Sequence, residues 1–201
     1  MSWFDQTIQL CPRLRRRARI AVGVAGMLWM AVAHGATEAP ALSESQVKAL
    51  FLFNFAKYVD WPQDAFASDD APIVIGLVGQ ESFEDALKQV VGGKNVNGRS
   101  VVVKQVASTN EYRNCHILFI GASEKEHIRE ILGAVKDLPV LTVGETEDFL
   151  SQDGMIGVGK KANRIRLQIN LVPAQRAQLK LSSKLLSVAD VVTGKPEMKK
   201  N

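Results

Sequence analysis

The segment Val47–Pro62, VKALFLFNFAKYVDWP, restricts the possible folds more than any other part of the chain. Just before it, Ser43 can accept a hydrogen bond as an N-cap and Gln46 can return one, a capping box that opens a helix. The backbone restriction on the residue before a proline closes that helix at Pro62. At 100° per residue, Val47, Leu50, Phe51, Asn54, Phe55 and Tyr58 share one broad face. Ala49, Leu52, Phe53 and Ala56 fall largely on the other side. A helix this apolar around its circumference cannot simply lie on a surface in water. Either it is sandwiched on two sides, or one side is kept for a partner. Asn54, in the middle of the main apolar face, is expected to be buried with its amide satisfied by backbone.

The rest of the chain alternates strands and helices. Ile73–Gly79 is a short, continuous apolar run of the kind that suits a strand covered on both faces. Glu81–Val91 reads as a helix ending at Gly92-Gly93, and Lys94–Ser100 as a turn-rich connector. Val101–Ala107 and Cys115–Gly121 read as strands, and Ser123 with Glu126 as a second capping box opening a helix through Lys136. Leu138–Val143 returns as a strand, followed by a short helix over Glu145–Leu150. Such alternation predicts an α/β fold, a mostly parallel central sheet with helices on both faces. Met155–Gly159 and Ile165–Leu171 then predict an antiparallel hairpin near a sheet edge. Pro173 suits the first turn of a final helix, on which Leu181, Leu185, Val188 and Val192 share a face.

The ends are of a different kind. Met1–Arg19 holds five arginines against Asp5, and Ile20–Ala33 is an uncharged run of 14 residues. A spanning helix needs about 20 apolar residues, whereas a basic start, a short apolar run and small residues up to Gly35 read as a cleaved secretory signal over residues 1–35. A single domain over 43–193 and a frayed tail over 194–201 follow. The chain carries 25 Lys+Arg and 21 Asp+Glu. Removing the leader takes away five of those bases and one acid, leaving 20 of each. No basic footprint for nucleic acid survives that subtraction.

The residues that could carry chemistry are sparse. Cys11 leaves with the signal, so Cys115 is a lone thiol, to be buried, intermolecular or reactive in an oxidising compartment. His116 is its neighbour, but adjacent strand residues point to opposite faces and form no thiolate–imidazole dyad. His127 lies among Glu124, Lys125, Glu126 and Glu130 and reads as a surface histidine. No HExxH, CxxC or His/Cys cluster occurs, so neither metal nor cofactor is expected. Gly76 and Gly79 fit tight strand-to-helix packing, since Glu81, Glu84 and Asp85 would repel a phosphate at the helix that follows. Ser183 and Lys184 face different directions if helical. Gly154, Gly157 and Gly159 fit a hairpin with bends. The chain makes a poor enzyme.

Three of these stretches together carry a resemblance. VKALFLFNFAKYVDWP, NGRSVVVKQV with NCHILFIG, and GMIGVGKKANRIRLQINLVPAQRAQLKLSSKLLSVADVV are similar to the YfiR family of bacterial periplasmic proteins, over roughly Ser43 to Val192. The resemblance implies a compact α/β domain without catalysis that represses an inner-membrane diguanylate cyclase by binding its periplasmic sensor domain. An outer-membrane lipoprotein with a peptidoglycan-binding domain would relieve the repression by sequestering the repressor. Lower cyclic-di-GMP and less biofilm would be the output. Of the cysteines that staple the family's redox-responsive repressor, only Cys115 is matched, so folding rests on core packing. A homodimer bridged through Cys115 would need that thiol exposed.

Two surfaces are candidates for the partner. One is the flank Phe53, Lys57 and Trp61 of the first helix, because exposed aromatic anchors tend to carry interface energy. The other is the wet face of the hairpin, Arg164, Arg166 and Gln168 with Asn170, on a strand open to pairing. Rival readings are a periplasmic small-molecule sensor or carrier with its ligand at the carboxyl ends of the parallel strands, a secreted hydrolase using Ser183, Cys115 or His127, and an accessory subunit of another envelope complex.

Overall fold

Helix α1 (Glu44–Tyr58) opens as expected: the Gln46 amide donates to Ser43 Oγ, and the Ser43 amide donates to Gln46 Oε1 at 2.8 Å. It closes at Tyr58, earlier than Pro62 would impose. Val59–Asp60 leave the helix as strand β1 and pair antiparallel with β9 (Lys180–Leu181), which satisfies the backbone that another helical turn would have used. This computed structural model describes residues 42–79, 81–161 and 164–192. Of the two units into which the chain divides, Met1–Ala39 and Pro40–Asn201, all described residues belong to the second. The expected signal over 1–35 and tail over 194–201 lie outside them.

The remaining elements run β2 (Ile73–Val78), α2 (Glu81–Val91), β3 (Asn95–Val96), β4 (Arg99–Gln105), α3 (Thr109–Arg113), β5 (Ile117–Ile120), α4 (Ile128–Ala134), β6 (Leu141–Gly144), β7 (Ile156–Lys161), β8 (Arg164–Asn170), α5 (Leu171–Arg176), β9, α6 (Ser183–Leu186) and β10 (Asp190–Val192). The main sheet has the order β10-β8-β7-β6-β5-β2-β4-β3. Strands β4, β2, β5, β6 and β7 are parallel, and β3–β4 and β7–β8 are antiparallel hairpins. The predicted parallel α/β sheet with a C-terminal hairpin is present.

Two cores lie on its two faces. On one, Ala49, Leu52, Phe53, Phe55 and Ala56 of α1 join Phe83, Leu87 and Val91 of α2 over Ile75, Leu77, Phe119 and Ile169. On the other, Tyr112, Ile128, Ile131 and Leu132 from α3 and α4 close over Val78, Leu118 and Ile120 with Phe149. The covered faces explain why β2 and β5 read as unbroken apolar runs. Gly76 and Gly79 sit where close packing needs them. A Cβ at Gly76 would come within 2.5 Å of Cys115 Sγ, and Gly79 has φ +71°.

Several local expectations are corrected. Lys94–Ser100 is a hairpin: Asn97 (φ 51°) and Gly98 (φ 82°) form its two-residue turn, the left-handed pair that joins twisted antiparallel strands most easily. The capping box opens α3 through Ser108 and Glu111, whereas Ser123 Oγ donates to the Gly79 carbonyl at 2.7 Å and α4 starts only at Ile128. No helix forms over Glu145–Leu150: residues 147–149 are turn and lead into a 3-10 turn over Leu150–Gln152. The single final helix through Val192 is divided. Pro173 lies in the first turn of α5, as predicted, but Gln178 takes φ 58° and the chain passes through β9 and the one-turn α6 into β10. Val188, expected to share a helical face with Leu181, Leu185 and Val192, is 66% exposed.

Candidate functional site

Helix α1 is both sandwiched and open. Its Ala49–Leu52–Phe53–Ala56 side meets the sheet and α2, while the face carrying Phe51, Asn54, Phe55 and Tyr58 forms one wall of a groove of about 460 Å³. Ile165 and Leu167 of β8 make the floor, and Leu185 of α6 with Val188 makes the far wall. Phe51 and Phe55 stack with ring centroids 6.4 Å apart, so the buried ring of Phe55 supports the half-buried ring of Phe51. Asn54 is half-buried in this wall and finds no hydrogen-bond partner among the described residues, against the expectation that backbone would satisfy it. Its amide is left facing whatever enters the groove.

Charge is confined to the mouth. Arg166 Nη1 lies 3.0 Å from Asp190 Oδ2, and Lys184 is exposed beside them. At the start of α1, Lys48 bridges Glu44 (2.8 Å) and Glu145 (2.6 Å), and Lys160 reaches Glu44 at 3.0 Å. Hydrogen bonds from Lys48 and then Lys160 hold the Glu44 carboxyl down at about 2. These pairs tie α1 to β7 and to the loop after β6.

The expected flank of α1 is placed differently. Phe53 is 5% exposed, a core residue with the ammonium groups of Lys57 and Lys94 over its ring at 4.6 and 5.1 Å. Both sides of the helix are apolar, so its sequence alone does not say that Phe53 faces inward. Lys57 is exposed. Trp61 is half-buried, its indole N–H donating to the His116 carbonyl at 3.1 Å.

On the hairpin, Arg164, Arg166 and Gln168 are exposed as expected. Asn170 is not part of that wet face. It is 3% exposed, and its Oδ1 accepts from the Val172 amide as the N-cap of α5. Nor is β8 an edge strand throughout: β10 pairs with it in parallel at Gln168, Ile169 and Asn170. That register leaves Arg164–Leu167, the half bordering the groove, outside the β10 ladder.

The lone thiol is buried. Cys115 is 4% exposed, its Sγ donates to the Glu111 carbonyl at 3.2 Å, and desolvation pushes its pKa up to about 11. It presents no surface for a bridge between two copies. His116 faces away from it, accepting the Val74 amide at Nδ1 (3.0 Å) and placing Nε2–H 3.2 Å from the Ala65 carbonyl. Its ring stacks on Phe66, with centroids 4.4 Å apart, and the Arg99 guanidinium covers the far side of Phe66 at 3.8 Å. Burial pushes the His116 pKa down. His127 is on the surface, its Nδ1 3.2 Å from Glu124 Oε2. Ser182 caps α6, accepting from the Leu185 amide, and Ser183 is exposed behind it.

Sequence reasoning found the helix face and Arg166 but missed α6 and Val188 as the opposite wall. Their apolar spacing fits one long helix as well as it fits two short elements. Among the described residues no helix is long and apolar enough to cross a membrane, and no group of three His, Cys, Asp or Glu could hold a metal ion.

A conserved domain protein from Vibrio cholerae O1 biovar El Tor has a similar solved structure, with a TM-score of 0.53 at 11% identity, covering 76% of this chain. This chain spans 61% of that one, and the likeness concerns the fold alone. The ABC domain in complex with L-Trp from Streptococcus pneumonia aligns with a TM-score of 0.42 at 12% identity, covering 59% of this chain and 55% of its own, too low to bear on fold or ligand. No curated protein matches. The profile described as YfiR/HmsC-like matches residues 45–190, from the second residue of α1 to the first of β10. The chain belongs to the YfiR/HmsC-like family.

Proposed function

We propose that this protein is a periplasmic regulatory binding protein, exported by its N-terminal signal. It represses an inner-membrane diguanylate cyclase by docking on the cyclase's periplasmic sensor domain, which lowers cyclic-di-GMP and biofilm formation. The family supports this reading, and one observation carries it: the α1–β8–α6 groove keeps Phe51 and Tyr58 half-exposed around an unpartnered Asn54. Two apolar walls with a charged mouth fit the anatomy of a docking site, where the centre contributes affinity and the rim sets orientation. Arg166 and Lys184 at the mouth, with Arg164 and Gln168 on the adjoining strand, are the polar contacts we assign to the partner, with Lys57 in the last turn of α1 and Trp61 just after β1 farther from the groove. An outer-membrane peptidoglycan-binding lipoprotein would relieve repression by competing for the repressor.

The test is capture of the sensor domain by the purified protein, with cyclic-di-GMP measured in a deletion strain. Capture lost in Phe51→Ala and Tyr58→Ala, with cyclic-di-GMP raised on deletion, is the expected result. Unchanged nucleotide on deletion removes the repressor assignment.

A further inference from the structure

Residues 61–72 lie as a strap against the starts of β2, β4 and β5, with a 3-10 turn over Gln63–Ala65 inside it. Three tethers hold the strap. At one end the Trp61 indole N–H donates to the His116 carbonyl at 3.1 Å. At the other, Arg99 Nη1 donates to the carbonyls of Ser68 and Ala71 at 2.9 and 2.8 Å. Between them the strap rests on the His116 ring, with Nε2–H 3.2 Å from the Ala65 carbonyl and Phe66 stacked at a centroid distance of 4.4 Å. Beside this contact a cavity of about 270 Å³ is lined by Ala65, Ala71 and Pro72 on the strap and by Val74, His116 and Val140 beneath it, so packing there is incomplete.

We propose that His116 is an acid-released catch: on protonation its ring leaves the socket at the start of β2 and the middle of the strap lifts, while the body of the fold stays closed. The Val74 amide makes the ring sensitive. It donates to Nδ1 at 3.0 Å and has no lone pair to offer, so Nδ1 is bare and Nε2 carries the proton. A second proton can go only to Nδ1, where it meets the Val74 N–H donor to donor. The Ala65 carbonyl accepts from Nε2–H in either form and does not resist. An imidazolium with one N–H unpaired at a residue 7% exposed is costly, and turning out to solvent relieves it.

Neighbouring charge does not favour the protonated ring. From β4, Arg99 acts on His116 across the Phe66 ring and opposes a second positive charge. Neither β2 nor β6 carries a titratable side chain. Arg113, after β4, lines the cavity, and burial keeps the Cys115 thiol protonated. Asp60 before the strap and Asp64, Asp69 and Asp70 on it are exposed, and Asp70 accepts from Ser68 Oγ at 2.6 Å.

The catch shares no residue with the lining of the docking groove. Amide hydrogen exchange of the purified protein, corrected for the chemical exchange rate at each pH, reads it directly. Burial lowers the pKa of the closed form, so closure is fully present above 6.5 and is lost as pH falls toward that lowered value. Opening at the Val74, Ala65 and Phe66 amides should grow by up to about tenfold per pH unit below 6.5, while Ile117–Ile120 keep their protection. His116→Gln can accept from Val74 and donate to Ala65 without charge, so it should hold the strap at about pH 5 as at about pH 7. His127→Gln, at an exposed histidine, should open as the parent does. Circular dichroism checks that both variants fold. The His116 ring resonances of the unsubstituted protein need no variant, and they should titrate below 6.5 in step with Val74 opening. A strap equally protected at both pH values overturns the proposal. So does a loss spread evenly over Ile117–Ile120, an acid response that survives His116→Gln, or a His116 midpoint at or above 6.5.

Discussion

The face of the sheet under α1 and the face under α3 and α4 are closed in different ways. Under α1 the covering helix is itself apolar on both sides, so after the sheet is sealed a second hydrophobic wall remains and stays open as the groove. Under α3 and α4 the apolar residues are used up in sealing the sheet, and a cleft bordered by carboxylates is left above them. The two openings are close in volume, about 460 and 430 Å³. Size therefore does not distinguish them. The groove is walled mainly by apolar and aromatic side chains, with Arg166, Lys184 and Asp190 at its mouth. The cleft is bordered by Glu124, Glu130 and His127 with Ser108 and Thr109.

The largest effects should separate the two sides of α1. Phe55→Ala removes a fully buried ring and should cost about 3–5 kcal/mol in chemical denaturation. Phe51→Ala, in the half-exposed wall, should cost less than half as much while weakening sensor capture. Equal losses from both would mean that the outer wall is core, and the contrast between the two faces would disappear. Next, Gly154→Ala forces a methyl group into the buried ring of Phe149 beneath the other face and should cost about 1–3 kcal/mol. Asn170→Ala removes the α5 cap and should cost about 1 kcal/mol.

A smaller effect depends on pH. Burial lowers the folded pKa of His116, so the unfolded chain takes up the proton first. The stability that neutral His116 contributes is present above its unfolded value of 6.5 and is lost as pH falls below it. His116→Gln should flatten that part of the stability curve, and an unchanged slope would assign the loss to other groups. The smallest effect is that of Arg166→Ala. An exposed pair with Asp190 contributes under about 1 kcal/mol to folding, so this variant should denature like the parent while slowing association with the sensor.

What was legible in the sequence follows how local the determining interactions are. The Ser43–Gln46 box spans three residues and forms as expected, as do the buried runs of β2 and β5 and the outward Arg164, Arg166 and Gln168. Which side of α1 meets the sheet was not legible, because both sides are apolar and α2 decides between them. Phe53 therefore fits an outward flank by sequence although it is core. Ser123 carries the same local signal as Ser108, but its hydroxyl is taken by Gly79, a residue 44 positions away. The division of the final helix depends on Gln178 in a left-handed conformation and on pairing with β1, neither of which alters the apolar spacing.

The ladder of Val59–Asp60 with Lys180–Leu181 has a mechanical consequence. It fastens the last turn of α1 to the segment just before α6, and the Ser182 amide donates to the Tyr58 carbonyl at 2.8 Å to complete the clasp. The two banks of the groove are thus hinged at one end like a pair of tongs, with Tyr58 beside the pivot. Widening to admit a thicker guest must come from the opposite end, away from that clasp.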